Sequence, residues 1–299
     1  MKTKLLHLFD QQAQLSIVEI NNQLQQSTIQ TLSQIAEINK LQAGLINLHD
    51  GKYSLAYKLD WFDKSTITQL LKEKQLDYQI HLFDKIDSTN NHATKHIEEY
   101  PSKTIISCDW QHTGKGRFGR SWSNQIAKDI AITIIYHFSP EFNLALLPMV
   151  CAVAINRLLK NHAIKNKIKW PNDIYVEKAK AAGILVENIF RGKQAKTLIG
   201  IGLNNLANWE RNKLVVDLVQ SLDSILAEFE LFGFPLLRRE WLDNCIHLNK
   251  SVLIQQEGLT IDQGIHTDIG EKGELIIKNN SGQNTYSSTN ISLLIKDQQ

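Results

Sequence analysis

The sequence predicts an α+β protein made of three units in succession. Residues 1–60 show the spacing of short helices followed by a hairpin, residues 78–248 alternate between strand and helix patterns, and residues 249–299 contain short strand patterns separated by glycine turns. A chain of 299 residues is long for one domain, so a division into units agrees with its length. A polar, helical stretch at 61–77 is predicted to connect the first unit to the second.

The first unit has the pattern of three helices and a hairpin. Three groups of apolar residues recur at helical spacing, namely Leu5, Leu6 and Phe9, then Ile17, Ile20 and Leu24, then Ile29, Leu32, Ile35 and Ile38. Ser16 stands where the N-cap of the second helix is expected. Apolar runs on both sides of Asp50-Gly51 predict two strands joined by a tight turn. This order predicts a winged helix-turn-helix domain, a fold that can place a helix in the major groove of DNA.

The second unit predicts a mixed sheet with long covering helices. Strand patterns lie at 78–86, 104–110, 129–138, 167–170, 174–177, 182–190 and 196–204, and helical patterns lie at 144–162 and 213–244. In the third unit, glycine turns near residues 258, 270–273 and 282 separate the strand patterns. Short strands with such turns predict a small β-barrel.

Composition and charge exclude several classes of protein. The net charge of +2 gives no indication of a nucleic-acid or membrane partner. Cys108, Cys151 and Cys245 lie far apart without a CxxC pair, which argues against a disulfide framework or a zinc site and favours a reducing compartment. The N-terminal segment has too short an apolar stretch for a signal peptide, and the most apolar segment, 144–155, is too short to span a bilayer. We therefore expect a soluble, cytoplasmic protein.

The segment 111–122 carries the most informative motif. It reads QHTGKGRFGRSW, with three glycines within six positions and the cations Lys115, Arg117 and Arg120 among them. Glycines let the backbone turn tightly and present its N–H groups, and the cations add fixed positive charge, so the segment predicts a loop that closes over a polyanion. The spacing matches neither GxxxxGK[ST] nor a GxGxxG that follows a strand. A solvated basic surface loop is the alternative interpretation.

Four further segments carry weaker signals. The KWPND turn at 169–173 could hold a phosphate and Mg²⁺, and KAAG at 180–183 places a lysine before small residues. DSTN at 87–90 opens a helix with hydroxyl and amide groups, and IGIGLNN at 199–205 has glycines within a strand. Each also has an ordinary structural explanation, respectively an Asn-Asp turn, a solvated lysine, an N-cap and close strand–helix packing.

Taken together and in this order, DSTN, GKGRFGR, KWPND, KAAGILVE and IGIGLNN resemble the catalytic domain of biotin–protein ligases. The resemblance extends over essentially the whole chain. Residues 1–60 resemble the DNA-binding domain, and residues 249–299 the small SH3-like β-domain, of bifunctional members that also repress the biotin operon. It implies that a central ligase domain of the biotin/lipoate ligase type, at 78–248, forms biotinyl-5'-AMP from biotin and ATP and transfers biotin to a lysine of a biotin carboxyl carrier protein, with Mg²⁺ as cofactor. It also implies a homodimer when the adenylate is bound.

The resemblance assigns roles to residues by position. Those implied to bind biotin are Ser88, Thr89, Asn90, Gln111, Lys115, Gly116, Arg117, Lys180, Gly183 and Ile184. Those implied for ATP and its phosphates are Arg120, Lys169, Asn172 and Asn204, with Asp173 for Mg²⁺. Lys180 and Arg117 are implied to be catalytic, since they would offset the charge that grows when the biotin carboxylate attacks the α-phosphorus. Trp209 is a candidate for contact with the adenine ring.

The candidates for DNA contact are Gln30, Thr31 and Gln34 of the predicted third helix and Lys52 of the hairpin. Glutamine can read a base edge, but phosphate neutralisation supplies most of the affinity of such proteins. Residues 1–60 hold five lysines, no arginine and five acidic residues, so this unit is electrically neutral. The sequence therefore predicts that operator binding, if present, is weak.

Two other functions fit parts of the pattern. A lipoate–protein ligase has a similar catalytic domain but a different glycine-rich motif. A transcription factor that senses biotin without catalysis would not need the cluster of Lys115, Arg117, Asn172, Asp173 and Lys180 for triphosphate and metal. The ligase is the function that the whole ordered set of motifs favours.

Overall fold

The computed structural model of the chain describes residues 4–191, 194–206, 209–289 and 291–296. Three helices and a small sheet come first, a seven-stranded mixed sheet with its helices follows, and a five-stranded sheet comes last. The central sheet carries the cavity described below, so the two smaller parts are considered for how they meet it.

The first part consists of α1 (Lys4–Gln11), β1 (Gln14–Ser16), α2 (Ile17–Leu24), α3 (Thr28–Leu41) and the hairpin of β2 (Ile46–His49) and β3 (Lys52–Leu55). The predicted three helices and hairpin are present, and Ser16 caps α2 in a capping box with Glu19. Asp50 and Gly51 both have positive φ, 50° and 74°, as a two-residue hairpin turn requires. The short strand β1, which pairs antiparallel with β3, adds a third strand that the sequence pattern did not indicate.

The buried face of α3 differs from the predicted one. The prediction that Ile29 and Leu32 face the core is wrong, because they are 80% and 45% exposed, whereas Thr31, Ile35 and Ile38 are buried. A spacing of three residues drifts around a helix of 3.6 residues per turn, so the early members of the apolar series leave the core side. Thr31 is fully buried and its hydroxyl donates to Asn21 Oδ1 at 2.5 Å, so its proposed contact with DNA is also wrong.

The central part is built from nine strands and five helices among the described residues. The strands are β4 (Gln79–Ile86), β5 (Thr104–Gln111), β6 (Gly114–Lys115), β7 (Ser121–Trp122), β8 (Ile130–Phe138), β9 (Lys167–Lys169), β10 (Asp173–Val176), β11 (Ala179–Arg191) and β12 (Gln194–Leu203). The helices are α4 (Lys64–Glu73), α5 (Thr89–Lys95), α6 (Leu147–Asn161), α7 (Arg211–Phe232) and α8 (Phe234–Asp243). The helix predicted at 213–244 is two helices, because Gly233, with φ 70°, ends α7, and Pro235 lies in the first turn of α8.

The large sheet has the order β4-β5-β8-β12-β11-β10-β9. Strands β4 and β5 are parallel, and the other neighbours are antiparallel. On one face the sheet packs against α6 and the helices around it, and Ile134 and Ile199 point into that core. On the opposite face α5 packs over Ile135 and Leu198. Because α5 is only seven residues long, it covers part of that face and leaves the rest for a ligand.

One helical stretch in the described part of the chain, Leu144–Asn161, is long and apolar enough to cross a membrane. It is longer than the apolar segment recognised in the sequence. Of this stretch 67% is buried inside the protein, and the core helix of a protein that never enters a membrane meets the same criterion. Its apolar character is therefore accounted for by its position against the central sheet.

The last part is an antiparallel sheet of β13 (Ser251–Gln256), β14 (Leu259–Ile269), β15 (Leu275–Asn279), β16 (Gly282–Tyr286) and β17 (Ser292–Ile295), in the order β16-β15-β14-β13-β17. Its apolar face is continuous with the central core, since Val252, Ile269 and Leu275 belong to the same buried cluster as α6. Trp170 inserts at this junction and donates from Nε1 to the Gly273 carbonyl at 3.0 Å. The five-stranded sheet is thus packed directly against the KWPND segment.

The first part is attached to the central part just beyond the glycine-rich loop. Gln42 Oε1 accepts from the Ile126 N–H at 2.8 Å, and the Tyr57 hydroxyl accepts from Gln42 Nε2 and donates to the Ile126 carbonyl. Ile126 and Ala127 belong to the buried cluster formed by the first three helices. Residues that follow the loop in sequence therefore complete the core of the first part.

Arg211, the first residue of α7, is buried and links the start of the connector at 61–77 to the central sheet. Its side chain is fully buried and donates to Asp109 Oδ1 at 2.7 Å and to the carbonyls of Asp60 and Asp129. Its guanidinium lies 3.7 Å from the centre of the Phe62 ring. Every part of this cation is matched by an acceptor or an aromatic face, which is the condition for burying a charge.

Replacing Arg211 tests this link. Arg211→Met leaves the Asp109 carboxylate buried without its cation, so we expect the free energy of unfolding to fall by roughly 3–5 kcal/mol. Arg239→Met, which removes an exposed arginine of α8, should change it by less than about 0.5 kcal/mol. Urea titration followed by circular dichroism measures both values. Equal, small effects of the two substitutions would contradict the structural role of Arg211.

Candidate functional site

A cavity of about 180 Å³ opens on the face of the central sheet that α5 leaves uncovered. Three glycines form its floor. Gly183 of β11 is paired with Gly202 of β12, and Gly200 lies two residues away on β12. These glycines alternate with Ile199 and Ile201, whose side chains are buried on the opposite face. The alternation of glycine and isoleucine therefore removes side chains from one face of the sheet while keeping the core on the other.

Neighbouring side chains use the space that the glycines leave. A Cβ atom at Gly200 would overlap the Asn90 amide, and one at Gly202 would overlap the indole of Trp122. Lys180 extends over Gly183. Glycine at these positions is thus a requirement for close approach.

The end of the cavity near Gly200 is polar and lined by neutral groups. Asn90 Nδ2 donates to Glu187 Oε2 at 2.7 Å, and Asn90 Oδ1 accepts from the Thr133 hydroxyl. Thr89 donates from its backbone N–H and its hydroxyl to Gln111 Oε1, at 2.7 and 3.1 Å. Buried amides and hydroxyls held in this way present fixed donors and acceptors to a small polar ligand.

Helix α5 begins at this same end of the cavity. Ser88 is its N-cap, and the Ser88 hydroxyl accepts from the Asn91 N–H at 3.5 Å. Ser88 lines the cavity together with Thr89 and Asn90, and all three are buried. The capping role and the position at the cavity are therefore compatible.

The glycine-rich segment folds over the cavity as a two-stranded ribbon. Strand β6 pairs with β7, and the turn between them contains Phe118 in a left-handed conformation, with φ 57°. Arg117 lies beside the Phe118 ring, 4.7 Å from its centre. It donates to Asn172 Oδ1 at 3.3 Å and to the Ser288 carbonyl. One arginine thus joins the loop to the KWPND segment and to the last sheet.

The opposite end of the cavity is strongly cationic. Among the charged residues of the described ranges that line it, one is a carboxylate, Asp173, and five are cations: Lys115, Arg117, Arg120, Lys169 and Lys180. Lys180 Nζ lies 2.8 Å from Asp173 Oδ1. Such an excess of positive charge in a partly enclosed site favours a polyanionic ligand.

Burial and mutual repulsion act on these cations. Burial lowers the pKa of Lys169, and the positive charges of Lys180 and Arg120 lower it further, while Asp173 acts in the opposite direction. Burial also lowers the pKa of Arg117. An arginine remains charged despite such a shift, so the end of the cavity keeps its positive field.

Asn172 is held in a fixed orientation between two strands. Its Nδ2 donates to the Ile184 carbonyl, and its own carbonyl accepts from the Ile184 N–H at 3.0 Å. This leaves Oδ1 directed at Arg117. The preceding Trp170–Pro171 peptide bond is cis.

Most residues proposed from the sequence lie together in this cavity. Those that line it are Ser88, Thr89, Asn90, Gln111, Lys115, Gly116, Arg117, Arg120, Lys169, Asn172, Asp173, Lys180, Gly183 and Ile184. Asn204 does not line it, and its Nδ2 instead donates to the Lys180 carbonyl at 2.8 Å. Trp209 lies elsewhere, with its ring 4.8 Å from that of His162, so its suggested contact with adenine is not supported.

Several lining residues were not proposed from the sequence. Phe118, Trp122 and Trp170 contribute aromatic surface, and Ile291–Leu293 of the last sheet close one side. The glycines of β12 provided a signal for Trp122, because a glycine within a strand indicates close approach of another group. Residues 291–293 gave no such signal, because their sequence is typical of an ordinary short strand.

The remaining candidates for DNA contact take part in the structure of the first part itself. Gln30 Oε1 accepts from the Ser27 N–H at 2.9 Å as part of the capping box of α3. Gln34 exchanges hydrogen bonds with Gln26 at 3.2 and 3.3 Å. Lys52 is exposed at the start of β3. Gln34 would have to give up these bonds to read a base, and Gln30 would have to give up its cap to use both of its amide atoms.

Comparison with known proteins agrees with this geometry. The model of the biotin/lipoate A/B protein ligase family matches residues 82–204. The chain is 30% identical over 240 residues to the bifunctional ligase/repressor BirA of Escherichia coli strain K12, covering 70% of this chain and 74% of that protein. It is 24% identical over 234 residues to biotin–[acetyl-CoA-carboxylase] ligase of Paracoccus denitrificans, covering 69% and 97%. Among solved structures, the biotin protein ligase from Aquifex aeolicus in complex with biotin and ATP shares the fold, with a TM-score of 0.63 at 23% identity over 73% of this chain and 99% of that one.

Proposed function

The chain belongs to the biotin–protein ligases of the biotin/lipoate A/B protein ligase family. We propose that the residues lining the cavity carry out the ligase reaction, in the roles given below. The enzyme forms biotinyl-5'-AMP from biotin and ATP and transfers biotin to a lysine of a biotin carboxyl carrier protein. The observation that carries the residue assignments is the polarity of the cavity. Its neutral polar end lies near Gly200 and its cationic end near Gly183, with the register of the two strands separating these ends by about 7 Å.

Biotin fits this polarity with its ring at the neutral end and its carboxylate at the cationic end. The ureido group has N–H donors and a carbonyl acceptor, which suit Ser88, Thr89, Asn90 and Gln111. The bicyclic ring lies over the glycine floor, beside the backbone of 183–184. The ribbon residues Lys115, Gly116 and Arg117 then fold over the bound molecule.

In the first step, the biotin carboxylate attacks the α-phosphorus of ATP and pyrophosphate leaves. Two anions must approach each other, so Lys180 and Arg117 stabilise the transition state by offsetting their repulsion and the charge growing on the transferred group. Arg120, Lys169 and Asn172 bind the phosphates at the cationic end. Asn204 acts indirectly, because its Nδ2 donates to the Lys180 carbonyl and so positions the backbone of that lysine.

Asp173 is the residue of this cavity that would hold Mg²⁺. Magnesium is commonly bound by one or two carboxylates together with substrate phosphates, so a single protein carboxylate beside a phosphate site fits. The ion would neutralise phosphate charge and orient the leaving pyrophosphate. Asp173 is paired with Lys180 at 2.8 Å, and phosphates entering the site would offer Lys180 an alternative partner.

In the second step, the amine of the carrier lysine attacks the acyl carbon of biotinyl-5'-AMP and AMP leaves. The enzyme needs no nucleophile of its own. The ribbon at 114–122 and residues 291–293 cover the cavity and keep water from the reactive mixed anhydride.

The first and last parts of the chain have separate roles in this proposal. Residues 1–60 form a winged helix-turn-helix domain, 61–77 a helical connector, 78–248 the catalytic domain and 249–299 an SH3-like β-domain. The bifunctional name of the Escherichia coli relative suggests operator binding, with a homodimer in the adenylate-bound state. The neutral charge of residues 1–60 and the internal hydrogen bonds of Gln30 and Gln34 argue that such binding is weak.

The ligase activity is tested by incubating the protein with ATP, Mg²⁺, biotin and a biotin carrier domain. Intact mass spectrometry should show one biotinyl group added to the carrier, and none when ATP is omitted. Lipoate in place of biotin should give no product. Modification by lipoate but not biotin would reverse the choice between the two ligase activities.

The role of Lys180 is tested by Lys180→Ala, which should reduce transfer to the carrier by at least roughly 10²–10³-fold and leave the fold intact. Lys178→Ala removes an exposed lysine two residues earlier and should transfer biotin at the wild-type rate. Radiolabelled biotin measures turnover, and circular dichroism checks the fold. Normal turnover by Lys180→Ala would rule out the role.

Operator binding is tested by fluorescence anisotropy with duplex DNA from the biotin operon. We expect weak binding, because residues 1–60 carry no net charge to neutralise phosphates. We expect that binding to decrease steeply as salt increases, because the lysines of this part would be its phosphate contacts. The measurement is made with and without biotin and ATP. A nanomolar complex at physiological salt would contradict the charge argument.

A further inference from the structure

Beneath the KWPND segment lies a buried cluster that the proposed reaction does not use. Cys245 and His247 follow α8, and His266 lies on β14. All three side chains are buried, and both histidines are essentially inaccessible. The two Nδ1 atoms are 3.1 Å apart, and Cys245 Sγ lies 3.5 Å from that of His247 and 4.0 Å from that of His266.

The hydrogen bonds around the two rings fix the positions of their protons. The backbone N–H of Trp170 donates to His247 Nε2 at 3.0 Å, so this nitrogen carries no proton. A neutral His247 then carries its proton on Nδ1 and donates to His266 Nδ1. His266 in turn carries its proton on Nε2, which donates to the Asp268 carbonyl at 3.0 Å. All four ring nitrogens have a complementary partner when both rings are neutral.

The electrostatics of the cluster agree with neutral rings. Burial lowers the pKa of His266 to about 4. Burial, with His266 close by, holds the pKa of His247 well below its usual value. Trp241 packs edge-on against His247, with ring centres 6.1 Å apart, and restrains the ring plane.

A metal ion is the other occupant that one cysteine and two histidines could suit. The ligand atoms all lie within 4.8 Å of one another, which is close enough to share an ion. A metal on His247 Nδ1 would, however, require a proton on Nε2, where it would oppose the Trp170 N–H. Burial also raises the pKa of the Cys245 thiol to about 12, so the thiolate that a metal prefers is disfavoured. The hydrogen-bonded arrangement gives all four ring nitrogens a partner without an ion.

We propose that His247 and His266 are positioning residues that fix the phosphate-binding segment from the last sheet. The relay runs from the Asp268 carbonyl through both rings to the backbone of Trp170, which is followed two residues later by Asn172 and then by Asp173. The Trp170 indole is held by the same sheet. The relay therefore orients the cationic end of the cavity and leaves the biotin end near Gly200 untouched. This inference rests on the proposed function, since it assigns ATP phosphates to that end.

Two amide substitutions separate this role from simple packing. His247→Gln can place an acceptor near the Nε2 position and keep the bond from the Trp170 N–H. His247→Asn is too short to reach it and leaves that buried N–H without its partner. We expect His247→Asn to weaken Mg²⁺–ATP binding on the order of 10–100-fold while biotin binding changes less than about threefold. His247→Gln should stay within a few-fold of wild type for both ligands.

Calorimetric titration with Mg²⁺–ATP and with biotin, done separately, gives the two affinities, and His137→Asn, at an exposed position on β8, is the matched control. If the wild type binds neither ligand, the proposed function fails. If it binds both and His247→Asn keeps wild-type ATP affinity, the relay is wrong. Equal losses in the Gln and Asn variants, or loss of biotin affinity to the same extent, would also overturn it. So would one equivalent of zinc or copper in the purified wild type that is lost in His247→Gln.

Discussion

Repulsion among like charges is the constraint on which the rest of the site depends. Lys115, Arg117, Arg120, Lys169 and Lys180 come from three separate segments and line one cavity, in which Asp173 is the one carboxylate among the described lining residues. Charges of one sign in a partly buried site interact more strongly than in water. The KWPND turn and the β10–β11 hairpin are held by backbone hydrogen bonds within the seven-stranded sheet. The ribbon is a separate two-stranded sheet, and Arg117 ties it to Asn172 and to the Ser288 carbonyl. A polyanion that enters the cavity reduces this repulsion, so the same cations serve both ligand binding and the reaction.

The seven-stranded sheet divides its two faces between stability and function. Ile134 and Ile199 build the core with α6, whereas Gly200 and Gly202 on alternate positions open the other face. The short helix α5 begins beside Gly200, where the Asn90 amide lies, and then packs over Ile135 and Leu198. A single run of residues, 199–203, therefore serves the core and the cavity at once, because successive side chains of a strand point to opposite sides.

Sequence patterns predicted the types of the elements and the grouping of the motifs more reliably than they predicted which face of each element is buried. Periodicity located the strands of the central sheet, and the order of the motifs led to the prediction that Ser88, Arg117 and Lys180 lie in one site. Periodicity failed on α3, because a spacing of three residues resembles a helical face without staying on it, and Ile29 and Leu32 are exposed. The contribution of 291–293 could not be predicted, since it depends on how the last sheet docks, and docking leaves no local pattern. The relay through His247 and His266 was hidden for the same reason, because its members lie 19 residues apart and meet only in the folded chain.

The span of the cavity along the chain has a consequence for biosynthesis. Ser88 and Leu293 both line it, so its two walls are about 200 residues apart in sequence. At a synthesis rate of 5–20 residues per second, roughly 10–40 s separate their appearance from the ribosome. During that interval the central sheet can form while its glycine-floored face is still open on one side. The cavity of a nascent chain therefore gains its last side only after residues 291–293 have been made and the last sheet has packed against the central one.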